Sequence, residues 1–484
     1  MTGALAFLLS LAAGWCFVTA FLARQPMRNA WTAHVIRAAL GAGAGVAISS
    51  GGFFLLLLAG AASATAVVVL NVALLAGGLV SLWLARRRAA ALPPSAVPPS
   101  FRWNWLLALA LAAGLALVLV GLISCSAANP LGEWDAWSIW NLRAKFLAGA
   151  GDAWRNALST KLEGASQHPD YPLLVSGFVA MIWKASGDTA PWVPQLTGFL
   201  FLGLVLALLA SALAALRSLT SALVAGLVLL SSTSFLFLAT MQYADLPLSF
   251  YFLASLTLLV LAETPDCLAL SGAFASMAAW TKNEGAAFAV LLTLAILAVE
   301  WRAAGLRCAL DRSRRFLTGA APGLLLVLGF KLFLAPASEP LFNQSAAHLK
   351  LADPSRYVQI GKALVVELYN LGQPWSHPLL LLAILALALR FRIDAARVRA
   401  WRASAAAVAL AFAAYCVVYL VTPSDLAWHL RTSLPRLYAQ LWPSFLLLAF
   451  LALNMPGAAG PAEPRASAAR TEPRASASGR RSRK

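Results

Sequence analysis

The sequence predicts an all-α polytopic membrane protein, and three observations carry that prediction. First, 61% of the 484 residues are hydrophobic and only 12% are charged, whereas a soluble domain is nearer half apolar and a quarter charged. Second, apolar stretches long enough to cross a bilayer recur along the whole chain. Third, most of the 37 Lys and Arg residues lie beside the ends of those stretches on alternating loops, the pattern of the positive-inside rule. These observations exclude a single soluble core and a disordered chain. The formal net charge of +18 is then a topology signal and calls for no nucleic-acid partner.

Thirteen spans are expected, near 3–22, 36–60, 64–84, 104–124, 192–213, 219–239, 246–263, 268–281, 285–300, 316–335, 377–391, 403–421 and 434–454. The first follows Met1 and Thr2 with no basic segment before it, so it reads as a retained helix and not a cleaved signal. Arg24, Arg28 and Arg37 flank the loop after it. The third span ends in Arg86, Arg87 and Arg88, and Arg102 precedes the fourth. The 268–281 and 285–300 pair reads as two spans or as one long helix, interrupted by Lys282, Asn283 and Glu284. Arg302, Arg307, Arg312, Arg314 and Arg315 crowd the next inner loop, and Arg390 to Arg402 the one after. With these loops inside, the N-terminus lies outside and the C-terminus inside. The outer loops 125–191 and 336–376 are nearly balanced in charge.

Composition divides the chain into four parts: a three-span extension (1–88), a Pro-rich cytoplasmic linker (89–101), a main membrane region (102–454) and a basic tail (455–484). The tail lacks apolar periodicity and reads as disordered. It can lie solvated or meet anionic membrane lipids. The five cysteines are scattered with no paired spacing, which argues against a disulfide framework.

Candidate chemistry gathers in the outer loops. Glu133 and Asp135 head an aromatic segment containing Trp134, Trp137 and Trp140. A helix over 136–147 would put Trp137, Trp140, Ala144 and Leu147 on one interfacial face, with Arg143 and Lys145 pointing elsewhere. Asp135 is then an N-cap carboxylate among aromatic anchors, or a carboxylate held at the mouth of a membrane cavity. Further along, His168, Asp170 and Tyr171 form a polar cluster, followed by a short apolar stretch, 172–185, that reads as an interfacial or re-entrant helix, and lying on the outer surface it keeps the charge pattern consistent. Asp245 lies between the sixth and seventh spans, where an ionisable residue is either functional or a cap. Lys282 and Glu284 pair with each other or meet an anionic headgroup. The last outer segment supplies Asp425, His429, Arg431 and Arg436; an arginine there can grip a phosphate or snorkel to lipid.

In order and spacing, EWDAWSIWNLRAKFL, HPDYPLL, YADLPLSFYFLASLTLL and GAFASMAAWTKNEG resemble the GT-C class of polyprenyl-phosphate-dependent glycosyltransferases. The likeness is to bacterial family-39-like and Rgt-like members and covers about 104–450. It implies a GT-C-like bundle with interfacial helices in the first outer loop, in a bacterial cytoplasmic (inner) membrane. It assigns the catalytic carboxylate to Asp135 and a second acidic role to Asp245. The frequent Asp-Glu pair is Asp135-Ala136 here, so Glu133 would have to stand in for the second acid. His168 matches a histidine before proline, Asp170 replaces a proline, Lys282 resembles a lysine near the donor phosphate, and Arg431 takes the phosphate-binding position by its place in the chain. Tyr171, Glu284 and His429 complete the expected substrate-binding set.

The chemistry so implied is transfer of a sugar from a polyprenyl-phosphate donor to a hydroxyl of a glycan, lipid or protein acceptor, with inversion. A carboxylate would accept the proton of the attacking hydroxyl. Lys282, Arg431 or a divalent cation (Mg or Mn) held by Asp135 and Asp245 would neutralise the leaving phosphate. The other classes in play are a transporter or flippase of lipid-linked glycans, and a glycan ligase or polymerase using similar substrates.

Overall fold

The computed structural model describes residues 2–27, 29–88, 104–161, 168–336, 347–374 and 376–456. The Pro-rich linker and nearly all of the basic tail lie outside the described residues. Apart from one isolated bridge between Phe391 and Leu453, the described chain is helices and their connections. Among the described residues nine helices are long and apolar enough to cross a membrane, or ten if one bent pair is a single span.

The N-terminal helices are α1 (Thr2–Phe21), α2 (Ala30–Leu58) and α3 (Ala64–Arg88). Asn29 starts α2 by accepting a hydrogen bond from the Trp31 amide. The polar trio Ser10, Ser49 and Asn71 joins the three helices in their apolar interior through hydrogen bonds of 2.8 and 3.0 Å. After α4 (Asn104–Ala128) comes a wide five-residue turn, Ala136–Trp140, in π geometry, then α5 (Asn141–Gly149) and a 3₁₀ turn, Gly151–Leu158. The π turn resets the helical register. Trp137 is therefore 45% exposed while Trp140, expected on the same face, is 1% exposed. Arg143 is also corrected: it is buried.

Helix α6 (Leu174–Ser186), the short apolar stretch expected at the outer surface, is enclosed by protein. Eleven of its thirteen residues are buried, and it packs against α1, α2, α5 and a further long helix, α7 (Trp192–Leu216). LVSGFVAMIWKAS is apolar around its whole circumference, so only burial on all sides suits it.

Helices α8 (Leu219–Leu230) and α9 (Thr233–Met241) form the bent pair, breaking by 68° at Ser231 and Ser232. The central helix is α10 (Asp245–Leu261), with every one of its 17 residues buried. Then follow α11 (Pro265–Thr281) and α12 (Asn283–Ala304). The uncertain 268–300 stretch is thus two helices, because Lys282 takes an extended conformation (φ −154°, ψ 163°) between them. Helix α13 (Leu306–Phe333) begins ten residues before the expected span. Its first turns are polar and carry the Asp311–Arg315 ion pair one turn apart. Helices α11 and α13 approach so closely that a Cβ at Gly319 would lie 1.7 Å from the Ala269 carbonyl oxygen. Small residues permit such contact between membrane helices, where dispersion replaces the hydrophobic drive.

The remaining helices are α14 (Ala347–Ala352), α15 (Pro354–Asn370), α16 (Pro378–Ala388), α17 (Val398–Val421) and α18 (Leu426–Ala452). Against the thirteen expected spans, α10, α11 and α16 fall short at 17, 17 and 11 residues. One apolar core takes residues from every helix except α14 and α15, and a smaller cluster joins Ile360 of α15 to Tyr419, Leu426, Leu430 and Leu434 of α17 and α18. Tyr251 of α10 donates to the Gly43 carbonyl of α2 at 2.9 Å, so the N-terminal helices are packed into that core.

Contacts gather the loops into two sets. At one end, Gln25 donates to the Leu261 carbonyl, Arg397 faces Glu263, Arg399 and Arg312 clamp the buried Glu300, and Arg217 donates to the Leu453 carbonyl. At the other end lie the starts of α10, α12 and α18 and the π turn.

Candidate active site

Two acidic residues from the sequence expectation stand at this second end, each bound to a basic partner. Asp245 is the first residue of α10 and is 1% exposed. Its Oδ1 accepts from Lys282 Nζ at 3.1 Å and from Gln440 Nε2 at 2.5 Å. Lys282 reaches it because the extended break between α11 and α12 turns the side chain inward. The same ammonium lies 2.9 Å from Glu284 Oε1 and 5.4 Å from the centre of the Tyr171 ring. One lysine is thus shared by two carboxylates and an aromatic face. Gln440 is oriented in turn by Tyr415, whose hydroxyl donates to its Oε1 at 2.7 Å.

Asp135 precedes the π turn and forms an ion pair with Arg436 of α18. The Arg436 guanidinium lies 5.2 Å from the centre of the Tyr243 ring. The Tyr243 hydroxyl accepts from the Asp135 amide at 3.3 Å. Burial, and then the charge of Asp135, push the Tyr243 phenol up to about 12, so it stays a neutral hydroxyl. Single π turns inside helices often mark functional sites. Here the turn holds the Asp135 carboxylate toward α18.

The third part is a clasp over 168–171. His168 has a left-handed backbone (φ 64°), unusual for a side-chain-bearing residue and a sign of a constrained turn. Arg143 sustains it by donating to the His168 and Tyr171 carbonyls. Burial brings the Arg143 guanidinium down to about 10, still charged at neutral pH. His168, Tyr171 and Trp140 stack in sequence, with centroid spacings of 4.5 and 5.7 Å. Asp170 accepts from Lys331 Nζ at 2.8 Å and from Asn283 Nδ2 at 2.8 Å. Burial alone would raise its carboxyl, but these hydrogen bonds outweigh it and hold the group below the ordinary aspartate range. The clasp is thereby tied to the Lys282–Glu284 break.

Other expected residues stand apart. Glu133 is exposed and accepts from Asn129 at 3.2 Å; it is not brought to Asp245. Arg431 is exposed on another face of α18, and it is Arg436 that reaches the acids. His429 Nδ1 lies 2.8 Å from Thr422 Oγ1, and its ring faces Tyr419. Residues 429, 433, 436 and 440 follow helical spacing on α18, and 431 does not. Sequence reasoning carried neither Arg436 nor Gln440 forward as a site residue. A glutamine inside the apolar run LYAQLWP was the available signal.

Around the two ion pairs three buried atoms have no hydrogen-bond partner among the described residues, Asp245 Oδ2, Glu284 Oε2 and Arg436 Nε, and in the clasp Trp140 Nε1 and Arg143 Nε have none. An unsatisfied buried polar atom is costly, so each is a position where a ligand atom would be stabilised. A cleft of about 180 Å³ opens at Arg436, lined also by Ser234, Phe237, Leu238, Met241 and Pro435. It is apolar with one guanidinium at its wall. Among the described residues no three metal-ligating side chains gather. Asp135 and Asp245 are each already paired with a cation. That donor set does not fit the several oxygen ligands a hard divalent ion requires. No family model, curated protein or solved structure matches this chain.

Proposed function

We propose that this chain is a membrane glycosyltransferase that moves a sugar from a polyprenyl-phosphate donor to an acceptor hydroxyl. The observation that carries the reading is the pairing of Asp245 and Glu284 with Lys282, each with one oxygen unsatisfied, and of Asp135 with Arg436, which also lines an apolar cleft. A lipid-linked phosphate sugar needs all three features: an apolar bed for its chain, cations for its phosphate, and a carboxylate near the reacting carbon.

In this mechanism the acceptor oxygen attacks the anomeric carbon and its proton passes to Asp135. The bond between that carbon and the phosphate oxygen breaks, and its electron pair stays on the phosphate. Arg436 and Lys282 stabilise the charge that develops there. Asp245 and Gln440 hold Lys282 in place. Glu284 Oε2 and Asp245 Oδ2 are free to accept hydroxyl hydrogens of the sugar. A single displacement inverts the anomeric centre. The acceptor is a glycan, a lipid or a protein.

The finer fold reading belongs to the same proposal. Counting α10, α11 and α16 as short crossings beside the nine long helices and the bent pair gives the thirteen expected from the apolar stretches. Helices α10 and α11 are enclosed by other helices, so their length need not match the lipid. The bundle is GT-C-like and sits in a bacterial cytoplasmic membrane, with the site and N-terminus outside and the C-terminus inside.

The test is transfer by purified protein from a labelled polyprenyl-phosphate sugar. Folded Asp135→Asn should lose transfer, and equal rates for variant and wild type would overturn the assignment. Vesicle-to-vesicle movement of a lipid-linked glycan without any new glycosidic bond would favour a flippase instead.

A further inference from the structure

The opposite end of the bundle carries a second polar cluster that the proposed chemistry does not use. Arg217 follows α7 and donates through NH2 to the Leu453 carbonyl at 2.6 Å. Its Nε is buried and has no partner among the described residues. Leu453 bridges in turn to Phe391, so Arg217 lies beside the segment that carries Arg392, Asp394 and Arg397, and the charges of all three act on it. Asp394 is already taken by Arg397 at 2.5 Å, and Arg397 also faces Glu263 at 3.8 Å. The arrangement is held by backbone: the Arg392 amide donates to Ala452 at 2.7 Å and the Asn454 amide to Arg390 at 2.9 Å. Three guanidinium groups are thus held at one end of the bundle, with the Asp394 and Glu263 carboxylates both facing Arg397 and the Arg217 Nε left unfilled.

Guanidinium groups whose charges act on one another repel unless an anion lies between them. The same segment supplies apolar surface next to the charge. Leu387 is 90% exposed and Phe391, immediately before Arg392, is 68% exposed. A ligand with hydrocarbon beside an anionic group suits both. The chain beyond Pro456 is itself rich in arginine, so charge complementarity disfavours it as the occupant.

We propose that Arg217, Arg392 and Arg397 form a binding site for the headgroup phosphate of an anionic phospholipid, whose acyl chains lie along Leu387 and Phe391. Arg217 is the specific element, because its Nε meets the phosphate from within the protein; Arg392 is the exposed electrostatic arm. Basic pockets among membrane helices bind anionic headgroups on these principles.

The test reconstitutes the full chain in phosphatidylcholine vesicles with and without a minor fraction of phosphatidylglycerol, extracts it in mild detergent, and counts retained lipid by native mass spectrometry. Wild type should retain phosphatidylglycerol in preference to phosphatidylcholine. Arg392→Gln, a surface change that leaves packing intact, should lower that retention roughly fivefold, the worth of one basic residue against an anionic surface. Arg217→Lys keeps the charge but removes Nε and should lower it as well. Equal retention of the two lipids by wild type, unchanged retention in Arg392→Gln, or displacement of the lipid by inorganic phosphate alone would each overturn the proposal.

Discussion

Asp135 and Arg436 lie 301 residues apart in the chain and form an ion pair at the end of the helical bundle. The contact joins the first long loop to the last helix, and the Tyr243 ring packs against the same guanidinium. A bidentate donor in this position can exchange one carboxylate for a phosphate without leaving its seat.

Arg436→Lys should therefore be severe despite keeping the charge. A lysine lacks the planar fork, and losing one aligned donor to a developing anion costs about 10²- to 10³-fold in rate. Arg431→Gln, on an exposed face, should leave the rate within about twofold of wild type. Single-turnover transfer assays on both variants decide the matter; the reverse ranking would return the phosphate to Arg431.

Lys282→Met should unfold the protein more readily. The substitution leaves Asp245 buried without its cation, and breaking one side of a buried pair costs about 3–5 kcal/mol. Removing all three charges, in Lys282→Met with Asp245→Leu and Glu284→Gln, should restore most of the stability but none of the transfer. Thermal unfolding in detergent, read beside activity, separates the two roles of this pair.

The clasp predicts an acid-sensitive component. The folded Asp170 carboxyl titrates below its ordinary value because Lys331 and Asn283 favour the charged form. Its contribution to stability is complete above about pH 4, the ordinary aspartate value, and is lost as pH falls through the folded value. Asp170→Asn should remove that component, flattening the stability profile below pH ~4. Unfolding midpoints across a pH series in detergent would reveal it.

Gly319→Leu should separate α11 from α13. The backbone of Ala269 already occupies the position of any added Cβ, and overpacking a well-packed contact typically costs about 1–3 kcal/mol. The expected outcome is a lower unfolding temperature with the orientation of the chain unchanged.

Orientation itself is open to direct measurement. Lys145 is exposed on α5. In a chain whose native cysteines are replaced, Lys145→Cys should react with an impermeant reagent added to intact cells. Labelling only after lysis would reverse the proposed topology.

The all-helical membrane class was legible in the sequence, and so were most helix positions. These follow from local chemistry: an apolar run must satisfy its backbone internally, and Arg clusters mark where it ends. Asp245 and Lys282 stood out in the sequence too, because charges are conspicuous in apolar surroundings, and the structure pairs them with each other. Partnership was another matter. Asp135 meets Arg436 and not Arg431, Asp245 needs Gln440, and Asp170 is held by Lys331. Such pairs depend on which helix faces turn together, and hydropathy carries no information about rotation of one helix against another. The π turn at 136–140 shows the same limit, since one altered turn exposed Trp137 and buried Arg143. Helix type and position are encoded residue by residue. The acid–base pairing of the site exists only when distant helix ends pack into one volume.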